Sequence, residues 1–193
     1  MTTLFLDFAS HKKFAAVIRD GKTCATVAID DHAKEAELLP TLTMMLERAG
    51  VRLDELKRIA MTTGPGGFMS LRAGLSLGNA LAWSLKIPVG GVHLSDLWQA
   101  RAGRTDVLWL HSTKRELLFV RKVDSEPELK KFEGLSAELG ARAYVGELIP
   151  EHANALSVTM ASDLRSLEDV LPKLTDALSY TTPPLLPWYG RGI

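Results

Sequence analysis

Along the first half of the chain, the spacing of the apolar residues changes from that of β-strands to that of a helix. This change constrains the fold more than any other sequence feature. Residues 3–9, 14–19 and 23–29 are short stretches rich in β-forming residues. Asp20–Gly21 predicts a tight hairpin turn between the last two. From about residue 35 to 49 the apolar residues recur at helical spacing instead. The chain is therefore predicted to open with three antiparallel strands and to continue with a helix.

The same kind of pattern continues and then returns farther along the chain. Residues 58–63 predict a buried strand and residues 68–85 a long helix, which a short strand at 87–92 follows. Two later apolar stretches, 106–111 and 117–123, again predict paired strands. The order β-β-β-α-β-α, with a shortened copy behind it, indicates an α/β fold built from two ribonuclease-H-like halves with mixed sheets.

A boundary between these halves is predicted at Gly103 and Arg104. We expect an N-terminal subdomain of residues 1–103 and a shortened C-terminal subdomain of residues 104–193. A helix over residues 163–178 closes the pattern, and the proline-rich tail behind it is expected to lie extended on the surface.

Charge and cysteine content bear on partners and location. Lys plus Arg and Asp plus Glu both number 23, whereas a protein that grips nucleic-acid phosphates by itself usually has a basic face. Cys24 is the single cysteine, so no internal disulfide forms. The N-terminus has no basic leader, and the apolar stretch 73–85 is shorter than the roughly 20 residues that a bilayer requires. These features predict a cytoplasmic protein without a membrane segment.

Residues 62–74 form the most informative segment, Thr-Thr-Gly-Pro-Gly-Gly-Phe-Met-Ser-Leu-Arg-Ala-Gly. It predicts a strand that ends in a glycine turn and leads into a helix, and glycines there permit positive φ and close backbone approach. The segment matches neither the P-loop nor the dinucleotide-binding spacing, so a structural turn is favoured over a phosphate-binding one. The turn itself comprises Gly64, Pro65, Gly66 and Gly67.

This segment resembles the TsaB family, also called YeaZ, which carries T-T-G-P-G-S-F-T-G-L-R-I-G at the same place. The matching positions are Thr62, Thr63, Gly64, Pro65, Gly66, Phe68, Leu71, Arg72 and Gly74. The chain departs from the family segment at Gly67, Met69, Ser70 and Ala73. The resemblance extends over about residues 3–100, and Pro187-Trp188-Tyr189-Gly190-Arg191 is similar to the family's Pro-x-Tyr-x-Arg tail.

The resemblance implies an actin-like ATPase fold and a role as a non-catalytic scaffold. In that family the transfer of a threonylcarbamoyl group to tRNA is carried out by a partner, TsaD, and an ATPase, TsaE, resets the complex. The resemblance therefore implies a TsaD-type partner, a TsaE-type ATPase that acts through the complex, and only indirect contact with tRNA.

The titratable residues offer no clear catalytic arrangement. Catalytic relatives hold a metal with two histidines one helical turn apart, and no two of the five histidines are spaced i, i+4. They are His11, His32, His93, His111 and His152. Asp7 stands where an actin-like kinase places a carboxylate near magnesium, and a structural role is favoured for it. With Ser10 and His11 it supplies the residue types of a triad, but sequence adjacency is not triad geometry.

No enzyme activity, cofactor or metal is therefore predicted for this chain. A degenerate actin-like kinase or a peptidase-like enzyme that binds a nucleotide stays as the alternative. A self-sufficient homodimeric binding module is a second alternative.

The two predicted N-terminal helices carry more apolar surface than one sheet face can cover, because a helix on a sheet needs a single stripe about 100° wide. Either neighbouring helices of the same chain cover the excess, or a TsaD-type partner or a second copy of the chain does. The predicted interface comprises Leu38, Leu42, Met45, Met69, Arg72, Ala73, Leu77 and Leu81. Replacing Leu42 or Leu77 with Glu is expected to abolish partner binding and leave the chain folded. Gly74 and Gly78, one turn apart, would permit close approach of another helix.

Overall fold

The computed structural model describes residues 1–30, 34–104, 106–114, 116–123 and 125–190. His32 and Arg191 of the sequence analysis lie outside these ranges. The helices are α1 (Glu35–Arg48), α2 (Phe68–Leu85), α3 (Leu94–Ala102), α4 (Leu135–Leu139), α5 (Pro150–Ala155) and α6 (Leu167–Asp176). The strands are β1 (Thr2–Asp7), β2 (Phe14–Arg19), β3 (Lys22–Ala28), β4 (Arg58–Gly64), β5 (Val89–His93), β6 (Leu108–Lys114), β7 (Leu117–Arg121), β8 (Glu128–Lys131), β9 (Ala143–Glu147), β10 (Thr159–Met160) and β11 (Tyr180–Thr181).

The first sheet has the strand order β11-β5-β4-β1-β2-β3. Strands β1, β2 and β3 form the predicted antiparallel meander, whereas β1 pairs in parallel with β4, and β4 with β5. Nearly every residue of β1, β2 and β4 is buried, because both faces of these central strands are covered. Strand β3 alternates exposed and half-buried residues, as an edge strand does.

The second sheet repeats this arrangement with the strand order β10-β9-β6-β7-β8. Strands β6, β7 and β8 are antiparallel, and β9 pairs in parallel with both β6 and β10. Five strands of each sheet therefore share one topology, in which β6 corresponds to β1 and β9 to β4. This repetition confirms the predicted α/β fold of two ribonuclease-H-like halves, the architecture of actin-like proteins.

The second half is shortened, as predicted. Helices α1 and α2 of the first half have 14 and 18 residues, whereas α4 and α5 have 5 and 6. Strand β10 is reduced to two residues.

The described chain packs as two compact units that differ from the predicted subdomains. Unit 1 contains Met1–Leu94 and Leu167–Tyr189, and unit 2 contains Ser95–Ser166. The predicted boundary at residues 103 and 104 placed α6 and the tail in the second half. Helix α6 instead packs against β3, and the Asp176 carboxylate forms an ion pair with Arg58. The prediction grouped α6 and the tail with the segments that precede them in the sequence, and so it missed the return of the chain to the first sheet.

Helix α2 lies unusually close to the first sheet. A Cβ atom at Gly74 would lie 2.5 Å from the Cβ of Phe8, and one at Gly78 would overlap the Met61 sulfur. The two glycines therefore admit the side chains of Phe8, directly after β1, and of Met61 in β4 to the helix surface. The expectation that they serve approach of another helix is wrong, because both face the core of unit 1.

Within the described residues, none of the helices has the length and hydropathy that a membrane-spanning segment requires.

Candidate functional site

The glycine turn of residues 64–67 leads from β4 into α2 and is built for close backbone contact. Gly64 has φ of +124°, and a Cβ atom there would lie 2.5 Å from the Trp188 carbonyl oxygen. A Cβ atom at Gly66 would lie 2.6 Å from the Cα of Ala9, in the loop after β1. Both glycines are therefore explained by packing against backbone, which supports the structural interpretation of the turn.

Asp7, at the end of β1, is fully buried beside this turn. Its carboxylate accepts hydrogen bonds from the Ala9 N–H (3.0 Å), the Ser10 N–H (3.2 Å), the Ser10 hydroxyl (2.5 Å) and the Thr62 hydroxyl (2.8 Å). Burial raises the pKa of Asp7, and these hydrogen bonds oppose the rise. The carboxylate thus ties β1 to the strand that carries the glycine turn, which is a structural role.

The residue types of a catalytic triad do not form one here. The Ser10 hydroxyl donates directly to Asp7, so no imidazole stands between the two. His11 is exposed, whereas Asp7 and Ser10 are buried.

The apolar stripe predicted on α1 is part of the core. Leu38, Leu42 and Met45 are buried, with Leu42 only 1% exposed, because α1 turns this stripe toward β2 and β3. Their assignment to an interface is therefore wrong, and Leu42→Glu would disrupt the core. The outward side of α1 instead exposes Leu39 and Met44, which the predicted interface did not include.

Helix α2 keeps an open face. Its buried residues are Leu71, Gly74, Leu75, Gly78 and Ala82, and they lie against β4, β1 and β5. The predicted interface residues are distributed over its other sides. Met69 is 71% exposed and Arg72 is exposed, while Ala73, Leu77 and Leu81 are half-buried.

Trp83 is the largest residue of this face that the predicted interface did not include. It is 78% exposed, although it lies in an apolar helix. Helical spacing places Met69, Ala73, Ser76, Ala80 and Trp83 in one line, at i, i+4, i+7, i+11 and i+14. That spacing could have identified Trp83 from the sequence. We call these five residues the α2 open face.

A cleft of about 370 Å³ adjoins the first turn of α2. Its walls come from the ends of β1 and β3, the start of β2, α1 and the glycine turn. The lining residues are Phe8, Lys13, Ile29, Asp30, Leu38, Gly67, Phe68, Met69, Ser70 and Ala73. The cleft combines an apolar wall with one cationic and one anionic side chain.

In unit 2, the edge that corresponds to the Asp7 site holds a different set of polar residues. At the end of β6, the Ser112 hydroxyl lies 2.9 Å from Nδ1 of His152 and accepts the Ile149 N–H at 3.0 Å. Phe132 stacks on His152 with ring centroids 4.2 Å apart. Ser112 and His152 are both buried, so a substrate has no access to this pair. The pair joins β6 to the N-terminus of α5.

Sequence comparisons connect the chain to tRNA-modifying enzymes. A family model described as "TsaD: tRNA N6-adenosine threonylcarbamoyltransferase" matches residues 25–128, just over half of the chain. A protein of that name from Syntrophus aciditrophicus is 32% identical over 110 residues, which cover 48% of this chain and 32% of the relative. The protein of that name from Trichlorobacter lovleyi is 33% identical over the same extent. The chain therefore matches about a third of the length of these curated relatives.

Solved structures match over nearly the whole chain. YeaZ from Pseudomonas aeruginosa has a TM-score of 0.71 with 21% identity and 91% coverage of each chain. A protein described by its similarity to the peptidase YeaZ from the same organism also has a TM-score of 0.71, with 20% identity and coverage of 98% and 99%. The resemblance to TsaB (YeaZ) proteins is thereby confirmed for the fold. Because the TsaD model spans more than half of its residues, this chain belongs to the TsaD family.

Proposed function

We propose that this chain is a non-catalytic scaffold subunit in the synthesis of threonylcarbamoyladenosine on tRNA, and that it binds a TsaD-type transferase through the α2 open face. Family membership supports a role in threonylcarbamoyladenosine synthesis, and the α2 open face supports binding of a partner protein. A TsaE-type ATPase would act through the assembled complex, and tRNA would be contacted only indirectly.

The composition of α2 is the observation that carries this proposal. Arg72 is its only charged side chain, although the helix has 18 residues and one side that faces outward. An exposed helix side normally carries charged residues, whereas this one presents Met69, Ala73, Ser76, Ala80 and Trp83. Small residues at the centre of the line permit close helix approach, and the large Met and Trp at its ends are suited to anchor a partner.

The dimensions of α2 also suit a docking element. At a rise of 1.5 Å per residue, the helix is about 27 Å long, comparable to the width of a standard interface. Leu39 and Met44 on the outward side of α1 add exposed apolar area in the same unit. The interface is therefore proposed to centre on α2, with α1 contributing through these two residues.

The absence of a catalytic role is supported by the state of the carboxylate that an actin-like kinase would use. Asp7 is enclosed by four hydrogen-bond donors of its own chain. A metal would have to displace these donors to reach it, which costs the hydrogen bonds of a buried charge. We therefore propose that transfer chemistry belongs to the partner.

A variant in the middle of the α2 open face tests the docking proposal. Ala80 is exposed, so Ala80→Glu adds a charge to the proposed interface without disturbing the core of unit 1. Co-elution with the TsaD-type partner, measured by size-exclusion chromatography, is expected to be lost. Ala153→Glu places the same change at an exposed alanine of α5 in unit 2 and is expected to leave co-elution intact. Equal co-elution of both variants would reject docking through α2.

The process itself is tested separately in the cell. Deletion of the gene is expected to lower threonylcarbamoyladenosine in bulk tRNA, measured by nucleoside mass spectrometry. An unchanged level would exclude the proposed role.

A nucleotide-binding enzyme is the second candidate, and the cleft beside α2 favours it. Lys13 lines this cleft next to the first turn of α2, where a helix N-terminus favours an anion. Titration calorimetry of the isolated chain with ATP and magnesium separates the candidates. Binding that is lost in Lys13→Ala would favour the enzyme, and no binding would favour the scaffold.

A further inference from the structure

The C-terminal segment of residues 182–189, which we call the strap, is fastened to the middle of α2. The Leu185 N–H donates to Oδ1 of Asn79 at 2.8 Å, and Nδ2 of Asn79 donates to the Leu185 carbonyl oxygen at 2.9 Å. The side-chain amide thus pairs with the backbone in both directions, as a neighbouring strand would. Asn79 can make both bonds because its primary amide carries a donor and an acceptor.

The end of the strap is fastened a second time, at the glycine turn. The Trp188 N–H donates to the Thr63 carbonyl oxygen at 2.7 Å. The Trp188 ring meets His93, at the end of β5, edge-on with centroids 4.5 Å apart. The Trp188 carbonyl oxygen occupies the space that a side chain at Gly64 would need. The strap therefore covers the carboxyl ends of β4 and β5.

A third contact reaches the first turn of α2. The rings of Tyr189 and Phe68 lie 5.6 Å apart at an angle of 31°. The Arg72 guanidinium lies 5.1 Å from the centroid of the same Phe68 ring. Phe68 and Asn79 are three helical turns apart, so the strap holds α2 at both ends of that span.

Helix α2 has local reasons to need such support. Gly67 at its N-cap supplies no side-chain hydrogen bond, so the first turn lacks a capping side chain. Gly74 and Gly78 weaken the helix relative to alanine, because glycine loses more backbone entropy on folding. The end of the strap and the glycine turn that it contacts both lie in segments that resemble the TsaB family, although more than a hundred residues separate them.

We propose that the strap is a detachable brace for α2. When the strap is attached, it holds the glycine turn and the first three turns of α2 in the arrangement that binds the partner. When the strap is detached, the glycine turn and these helical turns are released. Attachment of the strap therefore sets the affinity of unit 1 for its partner. The link to affinity rests on the proposed docking role of α2, whereas the bracing of α2 does not.

The bracing is tested on the isolated chain by amide hydrogen exchange. Asn79→Leu removes both hydrogen bonds to Leu185, and exchange over residues 64–79 is expected to rise about tenfold. Leu186→Ala changes a strap side chain that is 71% exposed and is expected to leave this exchange unchanged. Exchange over β6 and β9 in unit 2 serves as the internal reference. Wild-type exchange over residues 64–79 in Asn79→Leu would overturn the brace.

A measurement on the unmodified chain decides the matter even where Asn79→Leu does not fold. Native-state exchange in increasing denaturant should give the amides of Leu185, Trp188 and Leu71 one common opening reaction. Separate opening of the strap and the first turns of α2, with different denaturant dependence, would overturn the brace.

The link to docking is tested by titrating the TsaD-type partner into wild type, Asn79→Leu and Leu186→Ala. Affinity is expected to fall about tenfold for Asn79→Leu alone. Raised exchange with unchanged affinity would overturn the link between strap and docking. A wild-type chain that does not bind the partner would reject the proposed function, while the exchange experiments would still decide the bracing.

Discussion

Helices α1 and α2 pack on the first sheet with different kinds of residue. Helix α1 inserts large side chains, with Leu38, Leu42 and Met45 buried, and exposes charged residues such as Glu47 on the other side. Helix α2 meets the sheet partly through Gly74 and Gly78, and the bulk at the contact comes from Phe8 and Met61. Helix α2 also buries Leu71 and Leu75 on this side. The α2 open face has no charged residue, whereas the outward side of α1 carries charged residues such as Glu47 beside Leu39 and Met44.

The largest effect is expected from a charge on the buried side of α1. Leu42→Glu places a carboxylate where the leucine is 1% exposed, so unit 1 should lose at least about 4 kcal/mol of stability or fail to fold. Urea unfolding measures this loss. Leu39→Glu, on the exposed side of the same helix, should change the free energy of unfolding by less than about 1 kcal/mol. Similar effects of the two variants would show that α1 has no distinct buried side.

A smaller loss is expected where α2 touches the sheet. Gly74→Leu forces a side chain against Phe8, and overpacking of this kind costs about 1–3 kcal/mol. Ala73→Leu makes a change of similar size at the neighbouring, half-buried position and should cost less than about 1 kcal/mol. Equilibrium unfolding in guanidinium chloride compares the two. A tolerated Gly74→Leu would contradict the close approach of α2 to the sheet.

The smallest effect on stability, and the sharpest on binding, is expected from truncating exposed side chains. Trp83→Ala and Met44→Ala remove side chains that are 78% and 51% exposed, so each should change stability by less than about 0.5 kcal/mol. If α2 is the centre of docking, Trp83→Ala should lower the affinity for the partner at least about tenfold, and Met44→Ala should lower it less. Isothermal titration calorimetry measures both. A larger effect of Met44→Ala would move the docking centre to α1.

The two units also differ in the polar residues at the ends of their corresponding central strands, β1 and β6. In unit 1, Asp7 at the end of β1 is tied to Thr62 of β4. In unit 2, Ser112 of β6 is tied to His152 of α5. The topology is common to both units, but the polar residues that close the edge are not. A shared strand order therefore does not imply a shared site.

Much of the fold was predictable from local sequence. Strands β1 to β5 and helices α1 and α2 follow the predicted segments, because an apolar period is set by residues within about 10–18 positions of one another. The shortened repeat of the element order along the chain and the glycine turn were also predicted, whereas α4, α5 and β11 were not. The closing helix is shorter than the expected residues 163–178, since α6 spans Leu167–Asp176.

The candidate site was predicted only in part. The sequence indicated that both helices have excess apolar surface, but it did not show which side the sheet covers. Leu42 and Leu77 appeared equivalent, whereas Leu42 is buried and Leu77 half-buried. Which side of α2 is buried depends on contacts with residues distant in sequence, such as those of Gly74 with Phe8 and of Gly78 with Met61.

The sequence by itself determined the element order of the first half, the two ribonuclease-H-like halves and the segment that identifies the family. The tertiary structure decided which helix side stays open, that α6 and the strap return to the first sheet, and that Asp7 is enclosed. Apolar periodicity is a property of neighbouring residues and can therefore be recognised from the sequence. Burial depends on contacts such as Asn79 with Leu185, more than a hundred residues apart, and no local pattern encodes them.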